Sequence, residues 1–271
     1  MPELPEVETS RRGIEPHIIN QTVNEVIIRQ KQLRWPIPTT LKKQLIKQRI
    51  QQVERRGKYI LLRTQVGTVI LHLGMSGSLH ITNKNTPAEK HDHLDICFNN
   101  KKILRLRDPR RFGAVLWTKA DPLEHKLLIK LGPEPLNADF SAEYLYKASR
   151  NRRVAIKTLL MNSHIVVGVG NIYASESLFQ AGINPKRSSH KISLARYQKL
   201  VAAVKNILQL AIKQGGTTLK DFTHEDGKPG YFQQTLAVYG RANEACIHCT
   251  TPIKQFTQAQ RSTFYCSQCQ R

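Results

Sequence analysis

The chain has 271 residues, 42 of them Lys or Arg and 20 Asp or Glu, for a formal charge of +22. An apolar share of 40% supports a real core and argues against disorder, while so large a positive excess opposes folding slightly and points to a polyanionic partner, nucleic acid before an anionic membrane. No run approaches the ~20 apolar residues of a membrane-spanning helix, and the opening MPELPEVETSRRGIEP carries three glutamates in its first eight residues without an apolar segment, so neither a membrane span nor export is expected.

The opening residues predict a helix. Pro5 suits a first turn, where a missing N–H costs little. Glu6 and Glu8 favour the positive end of the helix dipole, and Pro16 is expected to stop the helix. On pattern alone this helix merely packs on a sandwich of strands. Eight short apolar runs come next, at residues 22–29, 50–55, 59–64, 68–73, 78–82, 94–98, 103–107 and 114–118, each bounded by Gly, Asn, Pro or charged turns. That spacing predicts an antiparallel sandwich or barrel, with a short helix at 41–48. Residues 121–135 read as a connection. Beyond it the pattern turns helical, at 142–149, 153–161, 172–181 and 194–214. The last and longest has Leu200, Val201, Val204, Ile207, Leu208, Leu210 and Ala211 at helical spacing, and Gly215-Gly216 closes it. The segment DGKPGY at 226–231 reads as a loop.

The strongest local signal lies near the end. Cys246-x2-Cys249 is followed after sixteen residues by Cys266-x2-Cys269. Two such knuckles place four thiolates around one tetrahedral Zn2+, with two strands and a turn between them. An iron–sulfur site or two disulfides are less common uses of this spacing in a reducing cell. Four cysteines leave no open coordination position, so the metal is expected to be structural. Lone Cys97, in the apolar run LDICF, is expected in the core, and His248 is expected to face solvent.

Basic residues cluster at Lys101, Lys102, Arg105, Arg107, Arg110 and Arg111, at Arg150, Arg152, Arg153 and Lys157, and at Arg55, Arg56 and Lys58. Each group alone is more often a solvated face. Set against the overall charge, phosphate contacts become the better reading. The turn LHLGMSGSL puts Met75 between glycines, where it either folds back into the core or serves as a wedge between bases. DPRRFG offers a similar tip with Arg110 and Phe112.

MPELPEVET, LHLGMSGSL, HDH, DPRRFGA, LGPEPL, VGVGNIYASESLF, GGTTLKDF, DGKPGYF, VYGR and the four-cysteine finger together resemble the bacterial formamidopyrimidine-DNA glycosylase family, in the family's order and over essentially the whole chain. The resemblance implies an α+β fold. It has an N-terminal antiparallel β-sandwich with flanking helices (2–134), a helical domain with a helix–two-turn–helix unit (135–235) and a four-cysteine zinc-ribbon hairpin (236–271), with DNA in the cleft between the two main domains. It implies excision of oxidised purines such as 8-oxoguanine and formamidopyrimidines opposite cytosine, followed by strand cleavage, in a monomer of the bacterial cytoplasm acting on double-stranded DNA and carrying one structural Zn2+.

Residue by residue, the resemblance makes the Pro2 amine the nucleophile once Met1 is removed, and Glu3 the general acid/base at the sugar. Lys58 becomes a proton donor and DNA contact during β-elimination, and Arg261 a phosphate ligand with a role in δ-elimination. An arginine pKa above ~12 makes clamping a phosphate the safer role. The target base must leave the stack. Phe112 then wedges, Arg110 faces the orphaned cytosine and Met75 fills the gap. Asn171, His91, Arg152 and Tyr239 match phosphate contacts, and Lys220 lies in a loop expected to close over the flipped base. Two rivals stand beside this reading. A sister enzyme for oxidised pyrimidines opens on a sequence resembling MPEGPE, which Leu4, Val7 and the GGTTLKDF segment disfavour. A non-catalytic zinc-ribbon DNA-binding protein fits composition and cysteines equally well, and only the terminus and the lesion-side residues argue against it.

Overall fold

The computed structural model describes residues 2–216 and 236–271; the expected loop at 226–231 and Lys220 lie outside these residues. By its contacts the chain divides into two compact units. The first holds the chain through Ile129 and resumes at Gly215; the second begins at Lys130, runs through Gln214 and includes the C-terminal residues.

In the first unit, helix α1 (Leu4–Ile18) is followed by β1 (Val23–Ile28), α2 (Leu41–Leu45), β2 (Gln52–Arg56), β3 (Tyr59–Thr64), β4 (Gly67–His72), β5 (Ser78–Asn83), β6 (Asp92–Phe98), β7 (Lys102–Arg107) and β8 (Ala114–Thr118). All strand pairs are antiparallel, in two four-stranded sheets of order β1-β6-β7-β5 and β2-β3-β4-β8. The inward residues of both sheets join Val7, Ile14 and Ile18 of α1 in one core, with Ile60, Leu62, Val69, Leu71, Leu94, Ile96, Leu104 and Leu106 among its members. These positions alternate along the strands and so share one face of each sheet, while Leu61 and Ile70 on the opposite face of β3 and β4 are buried too.

Three sequence expectations change here. Pro16 does not stop α1, which continues to Ile18. Proline removes one hydrogen bond from the last turn, and the burial of Ile14 and Ile18 outweighs that loss. Helix α2 ends at Leu45 rather than at 48, because Lys47 turns to positive φ and the chain bonds to the start of β1, Lys47 N–H to the Val23 carbonyl and Val23 N–H to that of Gln48. Cys97 is only half-buried. Leu94, Ile96 and Phe98 take the core side of β6, so Cys97 shares the other face with Asp95, whose carboxylate holds Arg29 and Arg105. Burial, and the charges of Asp95 and Glu25, push the Cys97 thiol pKa up.

In the second unit, α3 (Ala142–Ser149) starts on Ser141, whose hydroxyl accepts the Tyr144 N–H at 3.1 Å. Helix α4 (Ile156–Leu160) begins later than the pattern suggests, because Ala155 bridges Ser188 as extended chain and the Ser188 and Ser189 hydroxyls donate to the carbonyls of Arg153 and Arg152. Helices α5 (Asn171–Gln180) and α6 (Leu194–Lys213) come next, then the hairpin of β9 (Lys254–Gln258) and β10 (Arg261–Tyr265). Phe179 of α5 packs with Val238, Cys246, Ile253, Phe264 and Cys266, which seats the cysteine hairpin on the helices. No helix among the described residues is long and apolar enough to cross a membrane.

Candidate active site and nucleic-acid interface

Pro2 and Glu3 are both buried, immediately before α1. Glu3 occupies the N-cap in extended conformation, and its N–H donates to the Glu6 carboxylate at 2.8 Å, the backbone half of a capping box. Glu6 is itself 2% exposed, and Gly216 lies against it. The second residue of the chain is therefore held at a fixed place, where a chain end would ordinarily fray.

Lys58 occupies the two-residue turn between β2 and β3, after Gly57 at φ +58°. Next to it Tyr59 pairs in register with His72 of β4, their rings 4.8 Å apart. His72 Nδ1 accepts the Gly74 N–H at 3.0 Å. Burial, then the charges of Lys58 and Arg34, lower the His72 pKa to about 4. The imidazole is thus neutral at cellular pH and serves as an acceptor. Nothing in the sequence singles out His72; only its register opposite Tyr59, beside Lys58, marks it.

The two expected wedge tips come together. A Cβ on Gly74 would stand 2.4 Å from the Phe112 carbonyl carbon, and Gly74 has φ +66°, so both the contact and the turn require glycine. Asp108, fully buried, links the tips: one carboxylate oxygen accepts the Ser76 hydroxyl at 2.9 Å and the other the Gly113 N–H at 2.7 Å. Ser76 in turn accepts the Arg110 N–H at 3.2 Å. Met75 is half-buried, Arg110 is exposed and Phe112 is 45% exposed, with the Arg110 guanidinium 4.9 Å from the Phe112 ring centroid. His91 joins this assembly by its backbone, its carbonyl accepting the Asp108 N–H at 3.0 Å. Sequence reasoning misses Asp108 and Ser76, although an Asp opening a turn is the one available signal.

In the second unit, the turn between β9 and β10 places Ala259 and Gln260 at positive φ, as a primed two-residue hairpin turn requires, and Arg261 comes after it, exposed. The carbonyl of Ser262 accepts Asn171 Nδ2 at 3.0 Å and Lys157 Nζ at 3.1 Å, and Lys157 Nζ also donates to the Thr263 hydroxyl at 2.7 Å. Tyr239 lies beside Asn171, its hydroxyl 3.5 Å from Nδ2. Glu176 of α5 accepts the N–H groups of Ala237, Val238 and Tyr239 at 2.8–3.0 Å. Burial raises the Glu176 pKa, and these three donors pull against it. Arg152 and Arg261 line one cavity of about 630 Å³ with Lys157 and Asn162.

The basic clusters divide on inspection. Arg105 is buried and bonds Asp95 through two nitrogens, Arg55 bonds Glu8, and the Arg150 guanidinium lies over Tyr146 and donates to the carbonyls of Ser189 and Ile192. These hold the fold together. Arg110, Arg111, Arg152, Arg153 and Arg261 are exposed.

The four cysteine sulfurs lie within 4.8 Å of one another, with Cys246–Cys269 at 3.9 Å and Cys249–Cys266 at 3.4 Å. A tetrahedron of thiolates with metal–sulfur bonds of ~2.3 Å has edges of roughly 3.8 Å. Hydrogen bonds from Thr251 lower the Cys249 thiol to about 6, whereas burial and the neighbouring thiols push Cys266 and Cys269 up. A divalent cation relieves that opposition, so the donor set fits a structural metal ion. His248 is exposed as expected, and its ring stacks on Phe179 at 5.2 Å.

Two outcomes are expected from this geometry. The folded protein keeps His72 deprotonated down to about pH 4, whereas an unfolded chain takes up that proton near pH 6.5. The unfolded state binds more protons between these values, so stability rises with pH across the window. Urea midpoints measured from pH 4 to 7 are expected to slope less in His72→Gln than in the parent; identical slopes would contradict the assignment. Cys249→Ser should release the metal, measured by atomic emission, and weaken binding to duplex DNA at least tenfold.

Residues 1–115 match the model of the formamidopyrimidine-DNA glycosylase N-terminal domain and residues 131–223 that of the formamidopyrimidine-DNA glycosylase H2TH domain. The chain is 57% identical over 270 residues to a formamidopyrimidine-DNA glycosylase of Nitrosococcus oceani and 56% identical over 271 residues to that of Colwellia psychrerythraea, with 100% of each chain covered. Among solved structures it resembles the Lactococcus lactis Fpg (MutM) bound to Fapy-dG-containing DNA (TM-score 0.90, 34% identity, 99% of this chain and 100% of that one). It also resembles the MutM (Fpg) protein of Thermus thermophilus (TM-score 0.89, 32% identity, 99% of this chain and 98% of that one). The chain accordingly belongs to the formamidopyrimidine-DNA glycosylase family and is a DNA glycosylase.

Proposed function

We propose that this glycosylase removes oxidised purines, 8-oxoguanine and formamidopyrimidines, opposite cytosine in double-stranded DNA, and then cleaves the strand. The observation that carries the reading is the buried Pro2 held directly before the capped start of α1. The Lactococcus lactis relative supports the substrate class, since it has been captured with Fapy-dG-containing DNA and with abasic-site DNA.

Once Met1 is removed, Pro2 carries a secondary α-amine. A group of this kind has a pKa near ~8, so a useful neutral fraction exists at cellular pH. Its nitrogen bonds to C1′ of the extruded nucleotide, the glycosidic bond breaks, and the base departs with a proton. Glu3 serves as general acid/base at the sugar ring oxygen and in later proton transfers. With O4′ protonated by Glu3, the C1′–O4′ bond breaks and the nitrogen lone pair forms an iminium at C1′, an electron sink that acidifies C2′–H. Loss of that proton expels the 3′ phosphate, with Lys58 as proton donor and DNA contact, and a second elimination expels the 5′ phosphate.

Met75 and Phe112 fill the space the base leaves, and Arg110 faces the orphaned cytosine, whose acceptors suit a guanidinium. Arg152, Asn171, Tyr239, His91 and Arg261 bind phosphates. The metal is one Zn2+ held by Cys246, Cys249, Cys266 and Cys269. By binding only the folded hairpin, it stabilises the base of the turn that presents Arg261. The working division is a catalytic segment 2–134, a helical segment 135–235 and a zinc finger 236–271, in a monomer acting in the bacterial cytoplasm.

Incubation with an 8-oxoguanine:C duplex and borohydride is expected to trap a covalent complex in the mature protein. Pro2→Gly, or retention of Met1, should abolish trapping while duplex affinity stays within about threefold. Full trapping by Pro2→Gly would assign the nucleophile elsewhere.

A further inference from the structure

The mechanism leaves the ion network on α1 without a task. Glu8, whose side chain is 11% exposed, receives Arg11 at 3.0 Å, Arg12 at 2.7 Å and Arg55 at 3.1 Å. Arg11 also donates to the Val53 carbonyl of β2 at 3.1 Å and to Glu15. Burial alone would raise the Glu8 pKa, but the hydrogen bonds and charges of these arginines hold it below the ordinary carboxylate range. A group of this kind serves to fix geometry, because the cost of burying it is offset only when every partner stays in place.

Arg55 does two things at once. Its Nε donates to Glu8 Oε2 at 3.1 Å, and its Nη1 donates to the Gly57 carbonyl at 3.0 Å. Gly57 is the residue immediately before Lys58, and its carbonyl belongs to the peptide group that carries the Lys58 N–H. One planar guanidinium, 12% exposed, thus ties α1, which Pro2 and Glu3 immediately precede, to the turn that carries Lys58. An ammonium is a point charge on a flexible stem and lacks the rigid fork that spans both acceptors in this geometry.

We infer that Arg55 is a positioning residue for the lyase step: anchored by Glu8, it sets the Lys58 turn in register with the N-terminal end of α1. This rests on the reading of Lys58 as a participant in β-elimination. In this role Arg55 acts through Lys58, so its contribution to cleavage vanishes once Lys58 is gone.

A double-mutant cycle tests this in the full-length, metal-loaded protein. Single-turnover cleavage of a duplex with a preformed abasic site is measured for the parent, Arg55→Lys, Lys58→Ala and the double variant, with thermal midpoints recorded for all four. Arg55→Lys is expected to slow cleavage at least tenfold in the parent, but less than twofold in the Lys58→Ala background, with its midpoint near the parent's. The same slowing in both backgrounds, or no slowing in the parent, overturns the positioning role while leaving Lys58 in place. A Lys58→Ala variant as fast as the parent overturns the Lys58 reading and the inference with it. Should Arg55→Lys not fold, Glu8→Gln replaces it; that variant loosens the anchor but keeps the arginine, and the same pattern of loss and its disappearance is expected.

Discussion

The buried start of α1 is the constraint on which the rest depends. A nucleophile supplied by the chain's own end must be held as firmly as a side chain in a core, yet termini are ordinarily the loosest part of a fold. Here the Glu6 carboxylate takes the Glu3 N–H, Leu4 and Val7 enter the interior, and Ile14 and Ile18 anchor the far end of the helix between the sheets. Even Pro16 is tolerated within it. The sandwich therefore holds the segment that carries Pro2 and Glu3, which supports the proposed chemistry at Pro2.

A second theme is the division of charge. A formal +22 suggests a uniformly cationic surface, but much of the arginine is structural. Arg105 joins β7 to β6 through Asp95, Arg55 joins β2 to α1, and Arg150 caps carbonyls in the helical unit. Among the exposed cations are five arginines carried by turns or loops: Arg110 and Arg111 after Asp108, Arg152 and Arg153 before α4, and Arg261 after the hairpin turn. Buried polar groups brace two of these turns. Asp108 braces the Met75 and Phe112 tips, and Lys157 supports the residue next to Arg261. Polar groups committed to the interior thus set the shape of the surface proposed to meet DNA.

Much of this is legible in the sequence. The eight strand segments follow from short apolar runs bounded by turn residues, and α6 from its helical spacing. The four-cysteine site is legible because its spacing is local. The elements that differ from expectation are those in which distant contacts override local preference. Helix α4 starts late because residues 153–155 pair with a segment more than thirty residues on, and α2 ends early because Lys47 bonds back to β1. The apolar run around Cys97 suggests a core position, whereas strand alternation turns it away from the core. Asp108, Ser76 and His72 escape sequence reasoning, and Arg55 reads there as a phosphate contact although it bonds Glu8, for the same reason: each acts on a residue brought near by the sheets.

The central claim is that the reacting amine is the one at the matured chain end. The most direct measurement is peptide mapping by mass spectrometry of the borohydride-reduced adduct formed with an 8-oxoguanine:C duplex. The account predicts that the sugar remnant is found on the N-terminal peptide, on the nitrogen of Pro2, with Met1 absent. A remnant on Lys58, Lys157 or any other interior side chain would contradict it.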